Sequence, residues 1–101
     1  MDDLEINLAR GDKARLLLED ELLNEMLKRI EDDCYMEIRS SKLMEGPVRE
    51  QAYLLLTSID ILRAKLRSVM DTGKMAEVAL VRRRGKTPEQ MIVKLRGKYV
   101  R

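Results

Sequence analysis

The residues with the clearest capacity for chemistry are the cations that crowd the last twenty positions of the chain. They are Arg82, Arg83, Arg84, Lys86, Lys94, Arg96, Lys98 and Arg101. Such a set can neutralise several phosphates and release their counterions, which gives salt-sensitive affinity that does not depend on base sequence. No side chains for reading base edges are identifiable beside them. The sequence therefore predicts an arm that binds DNA or an acidic protein surface without evident specificity.

The other reactive side chains do not form a recognisable catalytic set. The 101 residues include no His, which removes the commonest general base and zinc ligand, and Cys34 is the only cysteine. The acidic runs 19–21 and 31–33 are consecutive residues of a predicted helix, so their side chains fan around it and do not converge on a metal. The five glycines are scattered singly and form no phosphate-binding loop. We expect a protein that is not an enzyme, with no catalytic residues, metal or cofactor.

The amino-acid composition indicates which kind of secondary structure must position the cations. Charged residues make up 38% and aromatic residues 3%, in the Leu-, Met-, Lys- and Glu-rich company of long helices, which excludes a β-sandwich with an aromatic core. Residues 1–73 carry 11 Lys/Arg against 16 Asp/Glu, a net −5, whereas residues 74–101 carry 9 against 2, a net +7. No apolar run approaches the ~18 residues of a membrane span, and no secretory signal is recognisable, so a cytoplasmic protein is expected.

Residues 12–39 show the periodicity of one long helix. The apolar side chains on one face follow one another at intervals of three, four or seven residues, at Leu16, Leu23, Leu27, Ile30, Cys34 and Ile38. Asp12, directly after Gly11, is the predicted N-cap. A polar connection then leads to Gly46 and Pro47.

Residues 47–72 show a sharper pattern. Pro47 suits the first turn of a helix, and Gly73 is the predicted left-handed cap at its end. The seam of this helix alternates steps of four and three residues, through Val48, Ala52, Leu55, Ile59, Leu62, Leu66 and Val69. That alternation is typical of left-handed helix packing. The predicted fold is all-α, a long antiparallel helical hairpin in which Glu37 and Arg63 form inter-helix ion pairs.

A lone hairpin of this kind leaves much apolar surface uncovered. Side chains outside the facing seams include Leu17, Leu18, Leu22, Leu54 and Ile61. Two helices alone bury too little to offset roughly 1–2 kcal/mol of backbone entropy per ordered residue. The pattern therefore predicts a homo-oligomer, either a four-helix dimer or a ring of hairpins.

The chain divides into an N-terminal segment (1–11), the hairpin oligomerisation domain (12–76) and the basic C-terminal arm (77–101). Within the arm, Thr87, Pro88 and Gln90 are typical of a helix start, which predicts a short helix over roughly 88–96. Its apolar patch of Met91, Ile92 and Leu95 is too small to fold alone. We expect this patch to dock on the hairpin or on another protein.

Two phrases carry a resemblance: EGPVRE at 45–50 and LRAKLRSVMDTGKMA at 62–76. They resemble small helical proteins of tailed bacteriophages and prophages, which often end their second helix with a similar Leu-x-x-Val-x-x-Thr-Gly-Lys-x-Ala phrase. The similarity extends over roughly residues 11–76. The nearest role is that of small terminase subunits, all-helical oligomeric rings that recognise viral DNA and hand it to a large ATP-driven motor subunit.

This resemblance implies a protein of DNA packaging or virion assembly, in the bacterial host cytoplasm or in the virion. Its partners would be other copies of itself and either DNA or an acidic protein such as the large terminase subunit, with no membrane. The chain departs from the small subunits in having no room for an N-terminal helix-turn-helix reader of DNA. Two alternatives stay open: a structural head or tail component whose arm contacts neighbouring subunits, and a small regulator that binds one protein.

Overall fold

The computed structural model describes residues 2–84, and these residues are helical apart from short connections. The helices are α1 (Asp3–Glu19), α2 (Glu21–Ser40) and α3 (Gly46–Arg84). No strand occurs within residues 2–84. The all-α prediction is confirmed. The predicted short helix at 88–96 lies outside the described residues.

The first helix begins earlier than predicted. Asp2 accepts a hydrogen bond from the backbone N–H of Glu5 at 3.0 Å, which satisfies one of the unpaired donors at the start of α1. Asp12 is therefore not an N-cap. It lies inside α1, where it is buried and accepts a hydrogen bond from the guanidinium of Arg15 at 2.9 Å.

The single helix predicted over 12–39 is wrong, because the chain breaks at Asp20. This residue has extended backbone angles (φ −66°, ψ 120°), and its carboxylate accepts a hydrogen bond from the N–H of Leu23 at 2.7 Å. The side-chain amide of Asn24 also donates to the Asp20 carbonyl at 2.9 Å. Asp20 thus caps the start of α2, and one extended residue separates the two helices.

The predicted end of the second helix at 72 is also wrong. α3 runs 39 residues, from Gly46 through Gly73 to Arg84. Gly73 is buried within the helix and faces Gly11 of α1: a Cβ built on Gly73 would lie only 2.7 Å from the Gly11 Cα. Gly73 is needed for this close approach of two backbones and not for a left-handed cap.

The described residues form two compact units, one of residues 2–18 and 65–84 and the other of residues 19–64. The core of the first unit consists of Leu8, Ala9, Ala76 and Leu80, with Leu4 packed against it. In the second unit the buried apolar residues are Leu27 and Cys34 of α2 and Ala52 and Ile59 of α3. Both cores are small, and Ala fills many of their positions.

Candidate interaction surfaces

The cationic end of α3 is anchored to the core of the first unit. Leu80 is fully buried there, two residues before Arg82. Arg83 forms an ion pair with Asp2, the residue that caps α1, while the side chain of Arg82 is exposed. Arg84 is the last residue of α3. The arm therefore starts from a fixed point on the folded part of the chain.

The remaining cations of the predicted arm lie outside the described residues. These are Lys86, Lys94, Arg96, Lys98 and Arg101. Together with Arg82, Arg83 and Arg84 they follow the buried Leu80 within 21 residues of sequence. Arg83 has a carboxylate partner in the same chain, whereas the side chain of Arg82 is exposed.

The predicted seam of α3 is partly buried and partly exposed. Ala52 and Ile59 are buried, Val48, Leu66 and Val69 are half-buried, and Leu55 and Leu62 are 46% and 43% exposed. The side of the helix that is better covered in the single chain instead includes Leu56 and Arg63. The helix face that is covered within the chain therefore includes Leu56 and Arg63, the residues that follow Leu55 and Leu62. Leu55 and Leu62 themselves stay exposed and available for contacts outside the chain.

An ion pair connects α2 and α3. The Arg63 guanidinium donates a hydrogen bond to the Glu31 carboxylate at 2.9 Å, and both side chains are only 23% exposed. The prediction that Arg63 forms an inter-helix pair is confirmed, but its partner is Glu31, and Glu37 is exposed. The hydrogen bond from Arg63 lowers the pKa of Glu31 from its ordinary value, against an opposing effect of burial. The same bond raises the pKa of Arg63.

The connection between α2 and α3 is held by Arg49. Its guanidinium donates to the Ser41 hydroxyl at 3.0 Å and to the carbonyls of Lys42 and Leu43 at 2.7 and 3.2 Å. The next residue, Met44, and Leu43 are both 89% exposed. Helical periodicity does not indicate this role of Arg49, although an arginine two residues after a Gly-Pro helix start is placed to reach back to the preceding loop.

The lone thiol is buried in the second unit. Cys34 is 3% exposed, and burial raises its pKa, with further increases from the carboxylates of Glu37, Asp33 and Glu31. A thiol that stays protonated and covered is a poor nucleophile. Cys34 acts in this core as a small apolar side chain.

The carboxylates are spread over the helices. Lys28 and Asp32 form an ion pair along α2 at 3.6 Å, and Asp20 caps the helix. Within residues 2–84, no group of three or more His, Cys, Asp or Glu side chains is placed to hold a metal ion.

A small cavity of about 70 Å³ lies in the first unit, beside Gly11 and Gly73. Asp12, Arg15, Lys74 and Glu77 contribute charged groups of both signs to its lining. Ligand sites for small molecules usually measure about 300–1,000 Å³. The cavity is smaller than a typical site of this kind.

No helix within the described residues is long and apolar enough to cross a membrane. Comparison with family models, with curated proteins and with solved structures finds no match to this chain.

Proposed function

We propose that this chain is a non-enzymatic, self-associating helical protein of bacteriophage DNA packaging or virion assembly, with a plan similar to that of small terminase subunits. Its basic C-terminal arm would bind DNA or the acidic surface of a motor subunit. The observation that carries the proposal is the run of arginines 82–84 at the end of α3, which begins two residues after the fully buried Leu80 and is followed in the sequence by five further cations.

The proposal includes a helical hairpin made of α2 and the first half of α3. A connection of only five residues, 41–45, joins the two helices. Glu31 and Arg63, which are 32 positions apart in sequence, nevertheless form a direct ion pair. A connection this short allows such a contact only if the two helices run in opposite directions, which favours the antiparallel arrangement.

Self-association is supported by what the single chain leaves uncovered. Within residues 2–84, sixteen large hydrophobic side chains are exposed, whereas nine apolar residues are buried, and four of those nine are alanines. Exposed apolar surface on this scale is typical of a protein that packs against other chains. Several copies in one assembly would also gather several basic arms, which raises their combined affinity for one DNA molecule.

The proposal is tested by salt titration of DNA binding. We expect full-length protein to bind a fluorescent duplex at low salt, with log K falling linearly against log salt concentration. The double variant R82Q/R84Q should reduce the slope by about 2, since each lost phosphate contact removes ~0.9 from it. The matched control K65Q/R67Q removes two exposed cations from the same helix and should leave the slope close to that of the wild type.

Two results would count against the DNA-binding proposal. One is full-length protein that does not bind duplex DNA at low salt, and the other is an equal loss of affinity in both double variants. A structural head or tail component would give the first result while still assembling into particles. Co-purification of the large motor subunit that depends on the arm would support packaging through the protein partner.

A further inference from the structure

The first half of α3 carries a strip of uncharged side chains that faces solvent. We call this the α3 strip, and it consists of Gln51, Leu54, Leu55, Ser58, Ile61 and Leu62. At about 100° per residue, these six positions fall within a sector of about 120° centred on Ser58. None of them is charged, although 38% of the chain is. The four apolar members are 43–57% exposed.

The four apolar members of the α3 strip are placed symmetrically about Ser58. Leu55 and Ile61 lie three residues to either side of it, and Leu54 and Leu62 lie four residues to either side. If a second copy of the helix packs in the opposite direction with its Ser58 facing this one, each Leu54 lies against Ile61 of the other copy and each Leu55 lies against Leu62. Such a self-complementary arrangement is what an isologous two-fold interface requires.

Ser58 is suited to the centre of such a contact. Its side chain is small, which allows two helices to approach closely. Its hydroxyl donates to the Leu54 carbonyl within the same helix at 2.9 Å. The hydroxyl therefore keeps a hydrogen-bond partner when water is excluded, so burying Ser58 leaves no unsatisfied donor.

The charge of the surrounding unit disfavours a nucleic acid on the strip. Residues 19–64 carry 6 Lys/Arg against 11 Asp/Glu, a net −5, which repels phosphates. The same charge keeps two copies apart where carboxylates face each other. The α3 strip lets two copies meet without bringing like charges together.

We propose that the α3 strip is an isologous contact between two copies of this chain, with the two-fold axis at Ser58. This inference rests on the self-association proposed above and specifies its surface. It requires neither the basic arm nor DNA.

The first test measures native mass by light scattering during size-exclusion chromatography. We expect the wild type to have at least twice the chain mass of 11.8 kDa. In L54K/I61K, each dimer would have to bury four ammonium groups, so its dissociation constant should rise at least about 100-fold and the mass should fall. The control Y53K replaces a side chain that is 64% exposed and lies about 140° from Ser58, and it should keep the wild-type mass.

The second test does not depend on destabilising the interface. In S58C, the introduced thiols of two copies would meet at the axis and should form a disulfide-linked dimer under mild oxidation. D60C places a thiol on the same helix about 160° away and should cross-link at least tenfold more slowly. The native Cys34 is buried, so it should add little background.

Three results would overturn the proposal: a monomeric wild type, an L54K/I61K variant with unchanged mass, or cross-linking of D60C as fast as that of S58C. Helical content measured by circular dichroism shows whether L54K/I61K is folded, and the S58C result stands if it is not. Loss of DNA binding with the mass unchanged would contradict the proposed function alone. An assembly that persists in L54K/I61K would contradict this strip alone.

Discussion

Individual side chains fix the points where helices of this chain begin or are joined. Asp2 caps α1 and also pairs with Arg83 near the end of α3. Asp20 ends one helix and starts the next through its carboxylate. Arg49 closes the connection before α3 with hydrogen bonds to three acceptors. Each is a polar residue whose role depends on a backbone group or partner that sequence periodicity does not report.

The Glu31–Arg63 pair should make stability depend on pH. The pKa of Glu31 is lowered in the folded state, so the pair stabilises the fold above the unfolded pKa of Glu, about 4.3. This contribution is lost as the pH falls through the lower folded pKa. We expect E31Q to reduce the free energy of unfolding by about 1 kcal/mol at pH 7, and by progressively less as the pH is lowered below 4.

Urea denaturation at several pH values measures this difference. The control is E25Q, which breaks the exposed pair of Glu25 with Arg29 at 3.4 Å and should cost only a few tenths of a kcal/mol. The interpretation of the Glu31 pair would be wrong if E31Q and E25Q had the same effect at pH 7.

At the scale of helices, the contact of α1 with α3 depends on two glycines. A Cβ on Gly73 would lie 2.7 Å from the Gly11 Cα and 3.0 Å from the Asn7 carbonyl oxygen. Both neighbours are backbone atoms, so relief requires a whole helix to move. The two glycines cost helix propensity, about 1 kcal/mol each relative to Ala, and the structure keeps them because of this close approach.

We therefore expect G73A to destabilise the protein despite the higher helix propensity of Ala. Overpacking typically costs about 1–3 kcal/mol, which exceeds or matches the ~1 kcal/mol gained from propensity. The net loss should lower Tm by several degrees in a chain of this size. G46A is the matched control, because its Cβ would meet only the Arg49 guanidinium at 3.7 Å. A G73A variant at least as stable as the wild type would contradict the close approach.

Helical periodicity in the sequence was sufficient to predict the all-α class and most of the extent of α2 and α3. It failed where one residue outweighed the pattern. Asp20 interrupts an apolar repeat that continues on both sides, and only its capping bonds reveal the break. Gly73 follows Thr72 in a typical helix ending, yet it lies inside a helix because Gly11 faces it. Whether Gly73 caps a helix or lies inside one at a helix crossing depends on Gly11, which is distant in sequence. Local residue spacing contains no information about such a contact.

The same limit applies to the seam and the arm. Heptad spacing identified the central positions Ala52 and Ile59, which are buried. Heptad spacing could not show whether the side of α3 with Leu55 or the side with Leu56 is covered within the chain, because both residues are equally apolar. The outcome leaves Leu55 and Leu62 exposed beside Leu54 and Ile61, which is the basis of the α3 strip.

At the scale of the whole molecule, the chain combines small cores with an uneven charge. The buried apolar set within residues 2–84 contains three leucines, one isoleucine, one cysteine and four alanines. Chains of this length have little margin between hydrophobic burial and conformational entropy. Residues 74–101 carry a net charge of +7. A compact assembly of several copies would bring the positive charges of their arms close together. An anionic partner would relieve that repulsion, consistent with the proposed role of the arm.

Folding and association should therefore be thermodynamically linked. If two copies bury their exposed leucines against each other, each tenfold dilution lowers the stability of the dimer by about 1.4 kcal/mol. For a folding unit of roughly 200 residues this corresponds to a Tm lower by about 3–5 °C per tenfold dilution. Thermal melting followed by circular dichroism from 1 to 100 μM measures this slope, and Y53K should reproduce it. A cooperative melt with the same Tm across that hundredfold range would mean that the single chain is stable by itself and that its exposed apolar surface does not hold the fold together.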